Sequence, residues 1–226
     1  MRGTHNIGEA SVTGNTTESV RESYDRIASE YANHFANELD SKPLDRELLG
    51  RLAADVRGKG FLCDMGCGPG HIARFLGQLG TKMFGLDLSP RMIEQARRIN
   101  PDIPFQVGDM TSLELGDGTL AGIAAFYSIV NTPRESLLPV FKEMFRVLQP
   151  AGLLLLSFHI GEEVVHPDEL LGHSISMDFF FFQPHLIKGF LETAGFVIEE
   201  IIEREPYAPG IEYQSRRAYI FARKPN

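Results

Sequence analysis

The chain has 226 residues, 43% of them hydrophobic and 23% charged, ordinary for a soluble globular protein and enough for one domain with a sizeable core. No apolar run approaches the ~20 residues of a membrane span, and the opening MRGTHNIGEASVTGNTTESV has no apolar core of the secretory-leader kind, so a cytoplasmic protein is expected. A formal net charge of −8 argues against broad electrostatic affinity for nucleic acid or an anionic membrane, though not against a local basic patch.

In chain order, residues 1–18 are polar and rich in Gly, Ser, Thr and Asn, a composition expected to be disordered, and residues 19–226 are expected to form a single domain. From Val20 the pattern turns helical: Val20, Tyr24, Ile27, Tyr31 and Phe35 fall on one stripe, for which core packing is the plain explanation. A second helix is expected over Leu44 to Ala54, and Gly58-Lys59-Gly60 leads out of it toward a first strand.

The stretch FLCDMGCGPGHIARFL, Phe61 to Leu76, joins a short apolar strand to a helix through Asp64 and three alternating glycines, Gly66, Gly68 and Gly70. Such a turn tolerates positive φ and lets a ligand lie against bare backbone at the N–H groups of a helix start. A plain tight bend would use the same glycines. The dinucleotide fingerprint G-x-G-x-x-G is not met, because the third glycine arrives one residue early and His71 follows it. Both cysteines, Cys63 and Cys67, lie here, where a disulfide would damage the turn, so reduced thiols are expected. Asp-x-Gly-Cys-Gly-x-Gly resembles motif I of the class I S-adenosylmethionine-dependent methyltransferases. The resemblance implies that Asp64, Gly66, Cys67, Gly68 and Gly70 lie beside the amino-acid part of S-adenosyl-L-methionine. It extends to Tyr24-Asp-x-Ile-Ala-x-x-Tyr31, which is similar to the N-terminal helix that covers the cofactor in many small-molecule members, so Tyr24 and Tyr31 become candidate contacts.

Lys82 to Leu86 reads as a second buried strand ending at Asp87, an acid placed to accept hydrogen bonds from both ribose hydroxyls. Ser89 then caps a helix with Pro90 in its first turn; in the family this helix start flanks the adenosine, which implies contacts from Leu88 and Met92. A third strand, Ile103 to Val107, precedes Gly108-Asp109-Met110. That triplet alone is a common turn; the resemblance implies that Asp109 meets the adenine amine, with Met110 beside it. Asp64, Asp87 and Asp109 thus close three successive strands at the edge where open α/β sheets bind ligands.

The fourth strand, Leu120 to Phe126, runs into Tyr127-Ser128-Ile129-Val130-Asn131. The resemblance implies that this end faces the transferred methyl group, where Phe126 and Tyr127 either pack against adenine or sulfonium or belong to the core. The Asn/Asp-Pro-Pro-aromatic and Pro-Cys signatures of nucleic-acid base methylation are missing. A helix over Arg134 to Leu148, a turn at Gln149-Pro150-Ala151-Gly152 and a fifth strand over Leu153 to Phe158 follow. Residues 159–183 are expected to be a substrate-side insertion. His159, first past the fifth strand on the ligand edge, can orient or deprotonate a substrate; with Tyr127 it is the candidate catalytic residue. The histidines at 159, 166, 173 and 185 lack metal-ligand spacing, so no metal is expected. Met177 to Phe182 reads as a strand covering the site, Pro184 to Ala194 as a helix closed by Gly195, and Phe196 to Ile202 with Arg217 to Arg223 as a terminal strand pair. Arg216, Arg217 and Tyr219 either approach the substrate or form an exposed strand edge.

The expected fold is a doubly wound α/β domain with a seven-stranded, mostly parallel, Rossmann-like methyltransferase sheet and an N-terminal helical cover. The expected function is in-line transfer of methyl from S-adenosyl-L-methionine, leaving S-adenosyl-L-homocysteine, to a small-molecule acceptor and not to nucleic acid. The alternatives are a non-catalytic S-adenosylmethionine-binding regulator and a protein methyltransferase; neither the acceptor nor the oligomeric state is legible.

Overall fold

A computed structural model describes residues 15–226. Most of the segment expected to be disordered lies outside the described residues, but its last part is ordered. Helix α1 spans Thr17–Phe35, capped at Thr16, whose hydroxyl accepts the Ser19 N–H at 3.0 Å while Ser19 Oγ accepts the Thr16 N–H at 3.1 Å. This reciprocal pair satisfies two helix-start donors, which is why the helix begins ahead of Val20.

Seven strands form the main sheet: β1 Phe61–Met65, β2 Lys82–Asp87, β3 Phe105–Val107, β4 Leu120–Phe126, β5 Leu148–His159, β6 Val197–Arg204 and β7 Arg217–Arg223. Their spatial order is β3-β2-β1-β4-β5-β7-β6, with β7 antiparallel to both neighbours and the other main-sheet pairings parallel. Helices α2 (Pro43–Val56), α3 (His71–Gln78) and α4 (Pro90–Ile99) cover one face, and α5 (Leu137–Val147) and α6 (Pro184–Ala194) the other. Alternation along the strands serves both layers: Ile123 and Ala125 of β4 pack toward α5, Ala124 and Phe126 toward α2 and α3. The central strands therefore have no solvent-facing side, β4 being buried throughout, while the edge strand β6 stays largely exposed.

Two expectations at strand boundaries are corrected. Gln149–Gly152 does not end an element; it bulges within β5, because Leu120 pairs with Leu148 but Gly122 with Leu153, and Ala151 sits at φ 59. Met177 to Phe182 contributes only Phe179–Phe180, paired with Val164–Val165, since the Asp178 backbone is held by side chains while the Phe181 and Phe182 amides donate to the Glu163 and His159 carbonyls. Asn15 accepts the Asp178 N–H at 2.6 Å and donates to the Asp178 and Asn131 carbonyls.

β1 pairs with both β2 and β4, so chain direction around the sheet reverses between β1 and β4. Open α/β sheets form their ligand crevice at that point.

Candidate active site

A cavity of about 520 Å³ opens at the carboxyl ends of β1, β2 and β4. The glycine turn forms one wall. Gly66 has φ 74, and a Cβ there would lie 2.4 Å from Ser128 Cβ, so only glycine lets the end of β4 approach. Gly68 has φ 50 and nothing near its hypothetical Cβ except Tyr31 at 3.8 Å; it presents bare backbone to the cavity. Gly70 departs from expectation. It caps α3, and its hypothetical Cβ points into Phe105 and Asn100, so its smallness serves packing and it does not line the cavity.

Asp87 is buried and accepts the Gly68 N–H at 2.8 Å and the Ser89 N–H at 2.9 Å. Burial pushes its carboxyl up to about 6 despite those two bonds. Asp64 is buried more deeply. Its Oδ2 has no partner, and burial pushes it up to about 7, with the nearby His71 opposing the rise. His71 donates or accepts at Nε2 with Glu38 Oε1, 2.6 Å away, while its Nδ1 is buried without a partner. Asp109 accepts from the Thr111 amide and hydroxyl at 2.8 and 2.7 Å through Oδ1 alone. Cys67, Leu88, Met92 and Met110 also line the cavity, and both cysteines are free thiols.

α1 closes the cavity from above. Asp25 accepts from Ser89 Oγ at 2.6 Å and from the Arg91 amide at 3.0 Å, pinning the helix to the start of α4. Val20, Ile27 and Ala28 pack on Met92, Ile175 and Met177, which leaves Tyr24 and Tyr31 turned to the cavity. Tyr24 donates to Asn131 Oδ1 at 2.7 Å. The stripe read from the sequence thus splits between core and site.

The far half of the cavity is walled by Phe126, Tyr127, His159, Phe181, Tyr213 and Arg217. Tyr127 leaves β4 at φ 51, a conformation that costs a non-glycine residue, and its amide donates to Ser157. His159 ends β5 opposite Arg217 of β7 in antiparallel register, so both side chains share one face of the sheet. The His159 ring stacks on Phe181 at 4.9 Å and lies 5.2 Å from Tyr127. Burial, then the Arg217 and Lys42 charges, push its imidazole down to about 3.

Sequence reasoning missed Glu38, Lys42, Glu212 and Tyr213 and left Arg217 undecided. Lys42 is buried and bonded to Glu38 at 2.8 Å; Glu212 accepts from Arg204 and from the Tyr207 amide at 2.7 Å and lies 3.3 Å from Arg217 Nε. Burial alone would raise the Glu38 carboxyl, yet His71 and Lys42 bring it down to about 2. Arg216, the other half of the pair, faces outward to Glu203 and Glu205. A signal was available: Arg217 precedes the fully buried run Ala218 to Ala222, and alternation within a doubly covered sheet buries it too. Among the other histidines, His166 contacts Asp178 and His173 lies 3.4 Å from Glu30. Among the described residues no group of three His, Cys, Asp or Glu is placed to hold a metal, and no helix is long and apolar enough to cross a membrane.

The donor set fits S-adenosylmethionine on this chain's own features: an orphaned carboxylate oxygen for an ammonium, bare backbone at Gly68, and carboxylates with free lone pairs at Asp87 and Asp109. Residues 62–152 match the family described as a methyltransferase domain. The chain is 30% identical over 124 residues to the putative methyltransferase YqeM of Bacillus subtilis (strain 168), covering 52% of this chain and 50% of the relative. It is 30% identical over 137 residues to the malonyl-acyl-carrier protein O-methyltransferase of Enterobacter lignolyticus (strain SCF1), covering 61% and 52%. The chain therefore spans about half the length of the curated relatives it matches. A putative sarcosine dimethylglycine methyltransferase from Galdieria sulphuraria shares the fold at a TM-score of 0.67 and 16% identity, over 89% of this chain and 98% of that one. The glycine turn, the strand-end acids and the sheet order agree with the match of residues 62–152 to a methyltransferase domain, and together they support a class I S-adenosylmethionine-dependent methyltransferase.

Proposed function

We propose that this protein transfers the methyl group of S-adenosylmethionine to a small-molecule acceptor held in the far half of the same cavity. The observation that carries the reading is the alignment of Asp64, Asp87 and Asp109, each at the end of a neighbouring strand, along one cavity with Gly68 bare between them. When bound, the cofactor supplies a methyl group already activated on a sulfonium. The chain's part is then to bind, align and exclude water, and positioning of that kind supplies roughly 7–11 kcal/mol of a barrier.

Asp87 keeps a free lone pair on each oxygen beyond its bonds to Gly68 and Ser89, suited to two ribose hydroxyls. Asp64 Oδ2 suits the amino group, and Asp109 Oδ2 the adenine amine. Tyr24, Tyr31, Leu88, Met92 and Met110 enclose the adenosyl moiety, with Cys67 and Phe126 at the inner wall. The α1 lid over the cavity, hydrogen-bonded through Tyr24 and Asn131, supports a small acceptor over a folded protein.

Calorimetric titration with S-adenosylhomocysteine, S-adenosylmethionine and NAD in parallel tests this. Saturable binding of both adenosyl compounds and none of NAD is expected. Binding of NAD alone would overturn the cofactor assignment, and adenosyl binding without methyl release across a broad acceptor panel would favour the regulator.

A further inference from the structure

Resting on that reading, the acceptor half of the cavity poses a sharper question: which nucleophile it is built for. The two groups placed to act as a base have their protons assigned by their neighbours. Arg217 donates to Ser215 Oγ at 2.6 Å, as a guanidinium only donates. Ser215 Oγ also meets His159 Nδ1 at 2.7 Å, and among the described residues its hydroxyl has no other acceptor. The serine proton therefore goes to Nδ1, and His159 carries its own proton on Nε2, which makes no hydrogen bond within the described residues. That tautomer is a donor toward the cavity.

Tyr127 is committed in the same way. Its hydroxyl lies 3.3 Å from that of Tyr219, which donates to both Asp45 oxygens at 3.1 Å and accepts from Arg204 Nε at 2.9 Å. With the Tyr219 proton on Asp45, Tyr127 donates to Tyr219 and its oxygen is turned inward. The carboxylates of this half are occupied as well, Glu212 by Arg204 and Tyr207, Glu38 by Lys42 and His71. The cluster holds three cations, Lys42, Arg204 and Arg217, against three anions, Glu38, Asp45 and Glu212. It offers neither a free base nor a free carboxylate. What remains unmet are donors: His159 Nε2–H, the buried Ser128 hydroxyl and the buried Arg217 Nε–H, which lies 3.3 Å from Glu212 without a hydrogen bond.

We infer that the acceptor is a carboxylate on an apolar or aromatic molecule, and that His159, set by Ser215 and Arg217, orients it as a hydrogen-bond donor and takes no proton. A phenol, alcohol, thiol or ammonium must lose a proton on attack and finds no group to receive it. A carboxylate has none to lose. One of its oxygens supplies the lone pair of the new C–O bond, the S–CH3 bond breaks with its electron pair left on sulfur, and the products are a methyl ester and a neutral thioether. The positive and negative charges cancel, which a low-dielectric cavity favours over creating charge. Phe181, Tyr127 and Tyr213 supply the apolar wall.

Two readouts besides turnover test the inference. The first is the imidazole 15N spectrum of the whole protein, with His159 identified by its loss in His159→Gln. A ring neutral and Nε2-protonated from pH 5 to 8 is expected, with tautomers mixing in Ser215→Ala; a ring that titrates near its ordinary value, or is protonated at Nδ1, would overturn the donor role. The second is titration of the S-adenosylhomocysteine-saturated protein with phenylacetate, phenylacetamide and 2-phenylethylamine. Phenylacetate should bind about tenfold more tightly than the other two, the preference vanishing in His159→Ala and returning in part in His159→Gln, which restores an N–H. Equal or tighter binding of the amine or amide would overturn the substrate class. Failure of S-adenosylhomocysteine to saturate the protein is read separately and would remove the methyl-transfer reading itself.

Discussion

The two halves of the cavity are built on opposite principles. Apart from the α1 lid and Phe126, the proposed cofactor half comes from one stretch, Asp64 to Met110, and leaves buried polar atoms unmet: Asp64 Oδ2 and His71 Nδ1 have no partner, and burial raises both Asp64 and Asp87. The acceptor half is drawn from α2, β4, β5, the 179–182 segment and β7, and nearly every charge in it is already paired. Unmet groups mark a surface waiting for a polar ligand, because a buried unpaired carboxylate is costly. A saturated network marks a surface whose shape and proton positions are set in advance.

The largest test breaks the junction between the halves. Gly66→Ala forces a Cβ into Ser128 at a φ of 74, so the protein should lose about 2–4 kcal/mol in denaturant unfolding, along with S-adenosylhomocysteine binding. A variant of unchanged midpoint would show that the turn and the end of β4 separate freely.

Within the cofactor half alone, Asp87→Ala should weaken S-adenosylhomocysteine by about 1.5–3 kcal/mol, and calorimetry showing unchanged affinity would remove Asp87 from the ribose position. Asp64 sharpens the contrast through pH. Its carboxyl sits at about 7 in the folded chain, above its unfolded value, so the empty protein loses stability as pH climbs through the range between the two and regains none above it. A bound ammonium favours the ionised carboxylate, so binding should release a proton and tighten from pH 6 to 8, by about tenfold per unit below the carboxyl's value. Calorimetry in buffers of different ionisation enthalpy reads the proton directly; a pH-independent affinity, or one identical in Asp64→Asn, would contradict the assignment. The smallest effect is expected at the lid. Tyr24→Phe removes one bond to Asn131 and should cost about 0.5–1.5 kcal/mol of cofactor affinity, with phenylacetate binding to the saturated protein unchanged.

Legibility divides along the same line. The glycine turn, Asp87 at the end of β2, the Ser89 cap and the Gly195 stop after α6 all lie where local pattern places them, because turn sterics, capping and strand period involve residues a few positions apart. Gly70 reads the same in sequence as Gly68, yet it serves Phe105 and Asn100, and no spacing separates a glycine facing a ligand from one facing a core side chain. The bulge at Gln149–Gly152 looks like a turn for a related reason: its local geometry is a turn, and only pairing with β4 makes it part of a strand. The start of α1 at Thr17 was hidden in a polar segment whose order comes from Asn15 bonding to Asp178 and Asn131.

By itself, then, the sequence determined the order of strands and helices, the tight turn after β1 and the placing of three acids at strand ends, all features in which neighbours along the chain do the work. Only the tertiary structure decided the acceptor half. Inserting β7 antiparallel beside β5 sets Arg217 opposite His159, and folding the 205–216 loop back brings Glu212, Tyr213 and Ser215 to the same place. Those neighbours arise from strand register, a cooperative choice of the whole sheet that no short stretch of the chain contains.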